Sequence, residues 1–163
     1  MSIAQHIKIT LELPTSVAES YIADLTDEQL MLRPHESANH IKWQLGHLIT
    51  AENNLGNAVR PGSMPELPEG FAEKHSKETA SVDDPSAFAS KEEYLELMKQ
   101  QRAATIALAE SLSDEELLAP APENLQHLAK TMGALLQLNG SHAMMHGGQW
   151  VVVRRQLGKE ALF

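Results

Sequence analysis

Apolar residues recur along most of the chain at intervals of three and four positions, the spacing that places side chains on one face of an α-helix. The pattern predicts four long helices, with expected bounds of Ile3 to Leu25, His40 to Val59, Ser90 to Leu112 and Thr131 to Leu157. One run of β-branched residues, 151–153, is short and lies inside the last helical pattern. We therefore expect an all-α chain folded as a four-helix bundle.

Local signals at the helix ends support these bounds. Ser90 and Glu93 have the spacing of a capping box, and Asn39 is the expected N-cap of the second helix. Gly158 is the expected stop of the last helix. Pro14 lies inside the first pattern, where it predicts either a kink or a helix that begins at the proline.

A long connection separates the second and third predicted helices. Proline and glycine punctuate residues 60–85, so regular structure is not expected there. A connection of this length in a compact domain often borders a functional site. The total length of 163 residues suits one domain that spans residues 1–163.

Composition and charge exclude several classes of function. The chain has no cysteine, so disulfides, thiolate metal ligands and a protein-borne thiol nucleophile are excluded. The formal net charge of −9 disfavours broad nucleic-acid binding, because phosphates require a surface of Lys and Arg. No run approaches the roughly 18 apolar residues of a membrane span. Residues 1–6 lack the start of a signal peptide, so we expect a cytoplasmic protein.

Three histidines form the candidate chemical site. His142 and His146 are four residues apart, so on a helix both imidazoles leave the same face, one turn apart. His47 lies in the middle of the second predicted helix, where it can face that pair. Three imidazoles with an open fourth position are typical of catalytic zinc. The alternative is that the pair is polar core or surface and binds no metal.

Glycines accompany these histidines. Gly46 precedes His47, while Gly147 and Gly148 follow His146. Each glycine inside a helix costs about 1 kcal/mol relative to alanine. Their presence therefore indicates either close approach of two helices or room for a ligand.

Other residues share a face with the histidines. Trp43, Asn54 and Gln149 have helical spacings that place them beside the candidate ligands, where they can orient a ligand or contact a bound cofactor or substrate. The alternatives are that Trp43 is core and that Asn54 and Gln149 are solvated. Glu52 follows His47 by five residues, about 140° around the helix, so we expect it to point elsewhere.

Further residues outside the site also carry predictions. His40 precedes His47 by seven residues, so it can lie on the same face near the mouth of the pocket, but we expect it at the surface, at the start of a helix. Met144 and Met145 are expected to pack in the core. His75 has no partner at a ligand spacing and is expected not to bind metal.

Three segments together resemble a known family, the DinB-like (damage-inducible) four-helix metalloproteins. They are residues 40–48, which contain Gly-His-Leu, residues 142–149, which contain H-x-x-x-H, and the Arg-Arg-x-Leu-Gly of residues 154–158. The resemblance implies that His47, His142 and His146 hold a divalent metal. Zinc is the first expectation, with nickel, iron or manganese as alternatives. The resemblance also implies a homodimer.

The same resemblance suggests a reaction class. Relatives include S-transferases that use low-molecular-weight thiols such as bacillithiol, mycothiol or glutathione, metal-dependent hydrolases and maleylpyruvate-type isomerases. Because this chain has no cysteine, a thiol would arrive as a cosubstrate. We expect a thiol S-transferase that acts on electrophilic small molecules. A hydrolase and a non-enzymatic metal-binding stress-response bundle are the alternatives, and no residue is assigned as the catalytic base.

Overall fold

The computed structural model describes residues 1–160 and Leu162, and this part of the chain is helical. The α-helices are α1 (Ile3–Ala23), α2 (Ile41–Val59), α3 (Phe71–Lys74), α4 (Lys91–Ser111), α5 (Asp114–Leu118) and α6 (Met132–Gln156). Short 3₁₀ turns lie at Gln29–Met31, Lys77–Thr79, Pro85–Ala87 and Glu123–Leu125. None of the helices described has the length and apolar character needed to cross a bilayer.

The four long helices pack as a bundle. Helix α1 packs along α6, α6 against α2, α2 against α4, and α4 back against α1, which closes a ring. The largest buried apolar cluster draws on all four and contains Ile22, Leu45, Ile49, Tyr94 and Trp150. The predicted all-α four-helix bundle is therefore confirmed, and α1, α2, α4 and α6 are the four helices that the apolar spacing predicts.

Helix α2 begins differently from the prediction. His40, not Asn39, is the N-cap, because its Nδ1 accepts a hydrogen bond from the backbone N–H of Trp43 at 3.1 Å. Its Nε2–H donates to the carbonyl of Val82 at 3.1 Å. The ring is completely buried, so the surface location predicted for His40 is wrong. Burial lowers the pKa of His40 to about 4, which keeps the ring neutral.

Helix α1 is continuous through Pro14, so the alternative of a helix that begins at the proline is wrong. Pro14 is buried where α1 meets Gly140 of α6. A Cβ at Gly140 would lie 3.2 Å from the Pro14 ring and 3.2 Å from the carbonyl oxygen of Thr10. The two helices can therefore approach closely at this level because α6 has no side chain there.

The segment between α2 and α4 is helical only in short turns, namely α3 and two 3₁₀ turns. It packs on α2 through partly buried polar contacts. The indole Nε1–H of Trp43 donates to the Ser76 carbonyl at 3.1 Å and to Thr79 Oγ1 at 3.2 Å. These contacts place the connection beside the first turn of α2.

His75 anchors the same connection. Its Nδ1–H donates to the Phe71 carbonyl at 2.7 Å, so its Nε2 accepts from the Tyr94 hydroxyl at 2.7 Å. The buried ring lies against Gly46, where a Cβ would come within 2.1 Å of it. Close packing, not room for a ligand, therefore explains the glycine that precedes His47.

Buried cations stabilise the end of the bundle where α6 stops. The Arg154 guanidinium donates to Asp24 at 2.5 Å and to the Tyr21 carbonyl at 2.9 Å, while Lys159 donates to Asp24 at 3.0 Å. Hydrogen bonds from Arg154 and then Lys159 lower the pKa of Asp24 to about 2. Arg154 thus acts as a buried ion-pair partner at the α1–α6 contact, whereas Arg155 is exposed.

Candidate metal centre

Helix α6 places two imidazoles next to each other. His142 and His146 are one helical turn apart on the side of α6 that faces α2, and their Nε2 atoms are 3.2 Å apart. Two nitrogens bound to one tetrahedral zinc, at bonds of about 2.0–2.1 Å, lie about 3.3 Å apart. The separation observed is therefore close to the one that a shared metal ion requires.

Helix α2 supplies the third imidazole. The ring centroid of His47 lies 5.0 Å from that of His142 and 5.6 Å from that of His146. One ring nitrogen from each of the three residues lies within 4.8 Å of the others. Among the residues described, these three form the group whose spacing suits a metal ion. The fold therefore brings together all three histidines predicted from the sequence.

The rings are poor bases, which leaves their lone pairs available. Burial, with the neighbouring histidines as a smaller cause, lowers the pKa of His142 and of His146 to about 4. Burial also lowers the pKa of His47. Imidazoles that stay neutral at pH 7 suit a divalent ion, which requires unprotonated nitrogen.

Gln44 fixes the orientation of His146. Its side-chain oxygen accepts from Trp150 Nε1–H at 2.8 Å and lies 2.9 Å from His146 Nδ1. Because an indole N–H is only a donor, the Gln44 atom at this position must be the oxygen, and His146 Nδ1 must carry a proton. The neutral ring then has its lone pair on Nε2, the atom that faces His142. Hydrogen bonds of this type orient metal-ligating histidines.

Gln44 is not among the residues predicted from the sequence. The available signal is its position three residues before His47, which places it on a nearby face of α2. Gln149, which is a candidate, lies one step further out. The Gln44 Nε2–H group donates to Gln149 Oε1 at 3.0 Å and to the Asn39 carbonyl at 2.6 Å. Gln149 therefore reaches the histidines only through Gln44 in these contacts.

Trp43 and Asn54, the other two candidates, occupy different positions. Trp43 is buried and stacks on His47, with ring centroids 5.1 Å apart and an interplanar angle of 11°. Trp43 is therefore part of the core, and its ring lies against a candidate ligand. Asn54 is exposed and lines the mouth of a cavity next to His47.

That cavity opens directly beside the histidines. It has a volume of about 460 Å³, and His47 and His142 form part of its wall. The apolar part of the wall comprises Ala51, Leu55, Leu128, Leu138 and Met145. Asn54 and Ser141 are its other polar residues. The volume is typical of small-molecule sites.

Met145 faces this cavity rather than the core, and Met144 is exposed beside it. The prediction that both methionines pack in the core is therefore wrong. The physical reason is that Ala143 and His146 form the buried face of α6 at this level, which leaves Met144 and Met145 on its exposed side. The two glycines that follow His146 are less tightly packed than Gly46. A Cβ at Gly147 would lie 3.8 Å from Tyr21, and a Cβ at Gly148 would meet nothing within 4 Å.

A known protein family matches most of the chain. The family model described as the DinB superfamily matches residues 10–150, which include the three histidines. The chain belongs to the DinB superfamily. The resemblance predicted from the three sequence segments is thereby confirmed.

A match to a solved structure supports the fold alone. A solved structure described as a conserved protein from Enterococcus faecalis matches this DinB-superfamily chain with a TM-score of 0.72 and 19% identity. The match covers 98% of this chain and 99% of that one. No curated protein matches the sequence.

Proposed function

We propose that this DinB-superfamily chain holds one divalent metal ion through His47, His142 and His146 and is a metal-dependent enzyme. The observation that carries the proposal is the group of three imidazoles with ring nitrogens within 4.8 Å of one another. Zinc is the preferred ion, and nickel, iron and manganese are the alternatives, because neutral imidazole donors suit several divalent transition metals.

A catalytic role is favoured by the number of ligands and by the adjacent cavity. Structural zinc sites are closed by four protein ligands, whereas catalytic sites leave a position open. Here three imidazoles come together, and two of them, His47 and His142, border a cavity of about 460 Å³. A divalent ion held there would lower the pKa of a water or thiol bound at its open position. Gln44 would orient His146, and Trp43 would hold the ring plane of His47.

Among reactions, we propose transfer of a low-molecular-weight thiol to an electrophilic small molecule. In this reaction the thiol sulfur forms a bond to an electrophilic carbon, the thiol proton passes to solvent, and the leaving group departs with its bonding electrons. The cavity wall, as described, contains no carboxylate to act as a base towards water. A thiol has an ordinary pKa of about 8.5, against about 15.7 for water, so it needs less activation to become a nucleophile, which favours S-transfer over hydrolysis.

The first test combines metal content with activity. We expect about one equivalent of a divalent ion in untagged protein, and its loss in His146→Ala. His6→Ala is the matched control, because His6 is an exposed histidine on α1. The protein would then be assayed with bacillithiol, mycothiol and glutathione against a chromogenic electrophile. Protein that takes up no metal, even with added zinc, would contradict the proposal.

The outcome also distinguishes the alternatives. Metal binding with ester or amide hydrolysis and no thiol dependence would indicate a hydrolase. Metal binding without either activity would indicate a non-enzymatic metal-binding stress-response bundle. The direct cofactor or substrate contact proposed for Asn54 rests on its position at the cavity mouth. The homodimer and the cytoplasmic location remain predictions.

A further inference from the structure

The cavity beside the histidines has an unusual wall for a site that would accept polar thiols. Its described lining contains no Lys, Arg, Asp or Glu. Apart from the two histidines, the only polar side chains in that lining are Asn54 and Ser141. The remaining wall is aliphatic, from Ala51 and Leu55 on α2 to Leu138 and Met145 on α6.

Charge complementarity decides what this wall can hold. A carboxylate placed against the wall away from the histidines would lose hydration without a side-chain cation to pair with, which is unfavourable by several kcal/mol in apolar surroundings. An alkyl or aryl group would gain free energy, because it and the wall would both be removed from water. The cavity therefore selects against the charged parts of a ligand and for an uncharged apolar part.

Two wall residues can adjust to different apolar groups. Leu128 precedes α6 in the connection from α5, and Met145 lies on α6; both are largely exposed without a ligand. Methionine adapts its shape because it is unbranched and has three rotatable bonds. Burial of these side chains by a ligand would add to affinity without a change in the bundle.

We propose that the substrate of this site has an uncharged alkyl or aryl group that occupies the cavity while its metal-binding atom reaches the histidines. This inference rests on the proposed function and deepens it, since it names the class of substrate. Carboxylate-rich thiols would keep their charged groups outside the cavity.

The test uses protein loaded with Co²⁺, in which thiolate binding produces charge-transfer absorption in the near ultraviolet. The probes are straight-chain thiols from ethanethiol to hexanethiol. The charged counterpart of hexanethiol is 5-mercaptopentanoate, whose carboxylate is too far from the sulfur to form a small chelate ring on cobalt. We expect the dissociation constant to fall about two- to fourfold per added methylene, in line with burial of each CH₂. We expect 5-mercaptopentanoate to bind at least about tenfold more weakly than hexanethiol.

Matched variants locate the effect. The double variant Leu128→Gln/Met145→Gln makes the wall polar at two exposed positions, so the fold is not at risk. We expect it to lose most of the chain-length dependence while it keeps its full cobalt content. Met144→Gln is the control, because Met144 is an exposed neighbour on α6 outside the cavity wall. The control should retain both the cobalt content and the dependence on chain length.

The outcomes separate this inference from the metal proposal. Normal cobalt binding with equal affinity for all thiols would overturn the inference and leave the metal site intact. Absence of cobalt uptake would overturn the proposed function. In that case the cavity is tested without metal, by the methyl NMR signal of Met145 during titration with ethanol and hexanol. A shift with hexanol alone supports an apolar-group site, and no shift with either overturns it.

Discussion

Helix α2 contributes to two polar clusters inside the bundle, one made of neutral rings and the other of an ion pair. In the histidine cluster, neutral rings from α2 and α6 direct nitrogens towards one another. In the second cluster, Glu52 Oε1 lies 3.0 Å from Arg102 Nε, and Arg102 Nη2–H donates to Glu52 Oε2 at 3.1 Å. Thr105 Oγ1–H donates to Glu52 Oε1 at 2.8 Å. The second cluster is thus a charged network between α2 and α4.

The surrounding space differs as much as the charge. Gaps beside Glu52 and Arg102 measure about 10 Å³, which is room for about one water molecule. The cavity beside His47 and His142 measures about 460 Å³. Glu52 points away from that cavity, as its position on α2 predicts. The difference indicates that a ligand belongs to the histidine cluster and that the ion pair stabilises the bundle.

The largest expected effect comes from breaking the ion pair. Arg102→Met should lower the free energy of unfolding by about 3–5 kcal/mol, because Glu52 would remain buried without its cation. Urea denaturation of metal-loaded protein measures this loss, and metal content should stay at the wild-type level. The double variant Glu52→Leu/Arg102→Met should recover most of the stability. A full loss of metal in Arg102→Met would remove the distinction between the two clusters.

Acid should lower the part of the stability that depends on the buried neutral ring of His40. Burial, with Arg33 as a further cause, lowers the pKa of His40 to about 4. Below the ordinary value of 6.5 the unfolded chain takes up a proton that the folded ring does not. The contribution of His40 to the free energy of unfolding therefore falls by about 3 kcal/mol between pH 6.5 and pH 4, and it is constant above pH 6.5.

The variant His40→Asn checks this pH dependence. Asparagine can still cap α2, but it has no titratable ring. In chelator-treated protein, the stability advantage of wild type over His40→Asn should shrink as pH falls from 6.5 to 4. An advantage that is constant across this window would contradict the assignment of a buried neutral ring.

Substitution of Gln44 provides the corresponding test for the histidine cluster. Gln44→Met removes the acceptor of the His146 Nδ1–H bond, so the zinc affinity should fall about 10- to 100-fold. Competition with a chromogenic chelator measures this affinity. Gln44→Glu retains an acceptor and should restore affinity to within a few-fold of wild type. Gln149→Ala, one hydrogen bond further out, is the control with the smaller expected loss.

The smallest expected effect concerns the glycines next to the histidines. Gly148→Ala should raise the free energy of unfolding by up to about 1 kcal/mol, because a Cβ there meets nothing within 4 Å and alanine favours helix. Gly46→Ala should lower it by about 1–3 kcal/mol, because the added methyl overlaps the anchored ring of His75. Thermal unfolding of both variants provides the measurement, and equal shifts would contradict the packing described.

Much of the bundle is predictable from the sequence because its signals are local. Periodic apolar positions locate the four long helices, and the capping box at Ser90 and Glu93 forms as the sequence predicts. The H-x-x-x-H spacing places two imidazoles together on any helix. That His47 meets them depends on how α2 packs against α6; its position in the middle of the helix makes this contact possible, and the resemblance to the DinB family supports it.

The remaining features depend on contacts between distant segments. Sequence spacing does not reveal that His40 bonds Val82, or that His75 packs on Gly46, because each pair is joined only by the fold of the connection. Gln44 acquires its role from Trp150 and His146, more than a hundred residues away. Periodicity can locate a buried face, but it does not identify the partner.

Both tryptophans of the chain lie beside the histidine centre. Trp43 stacks on His47, and Trp150 donates to the same Gln44 oxygen as His146. The tryptophan fluorescence of this protein therefore originates beside the candidate site. Quenching by a paramagnetic ion such as Co²⁺ or Ni²⁺ would report occupancy of the centre in real time, without a label and without a known substrate.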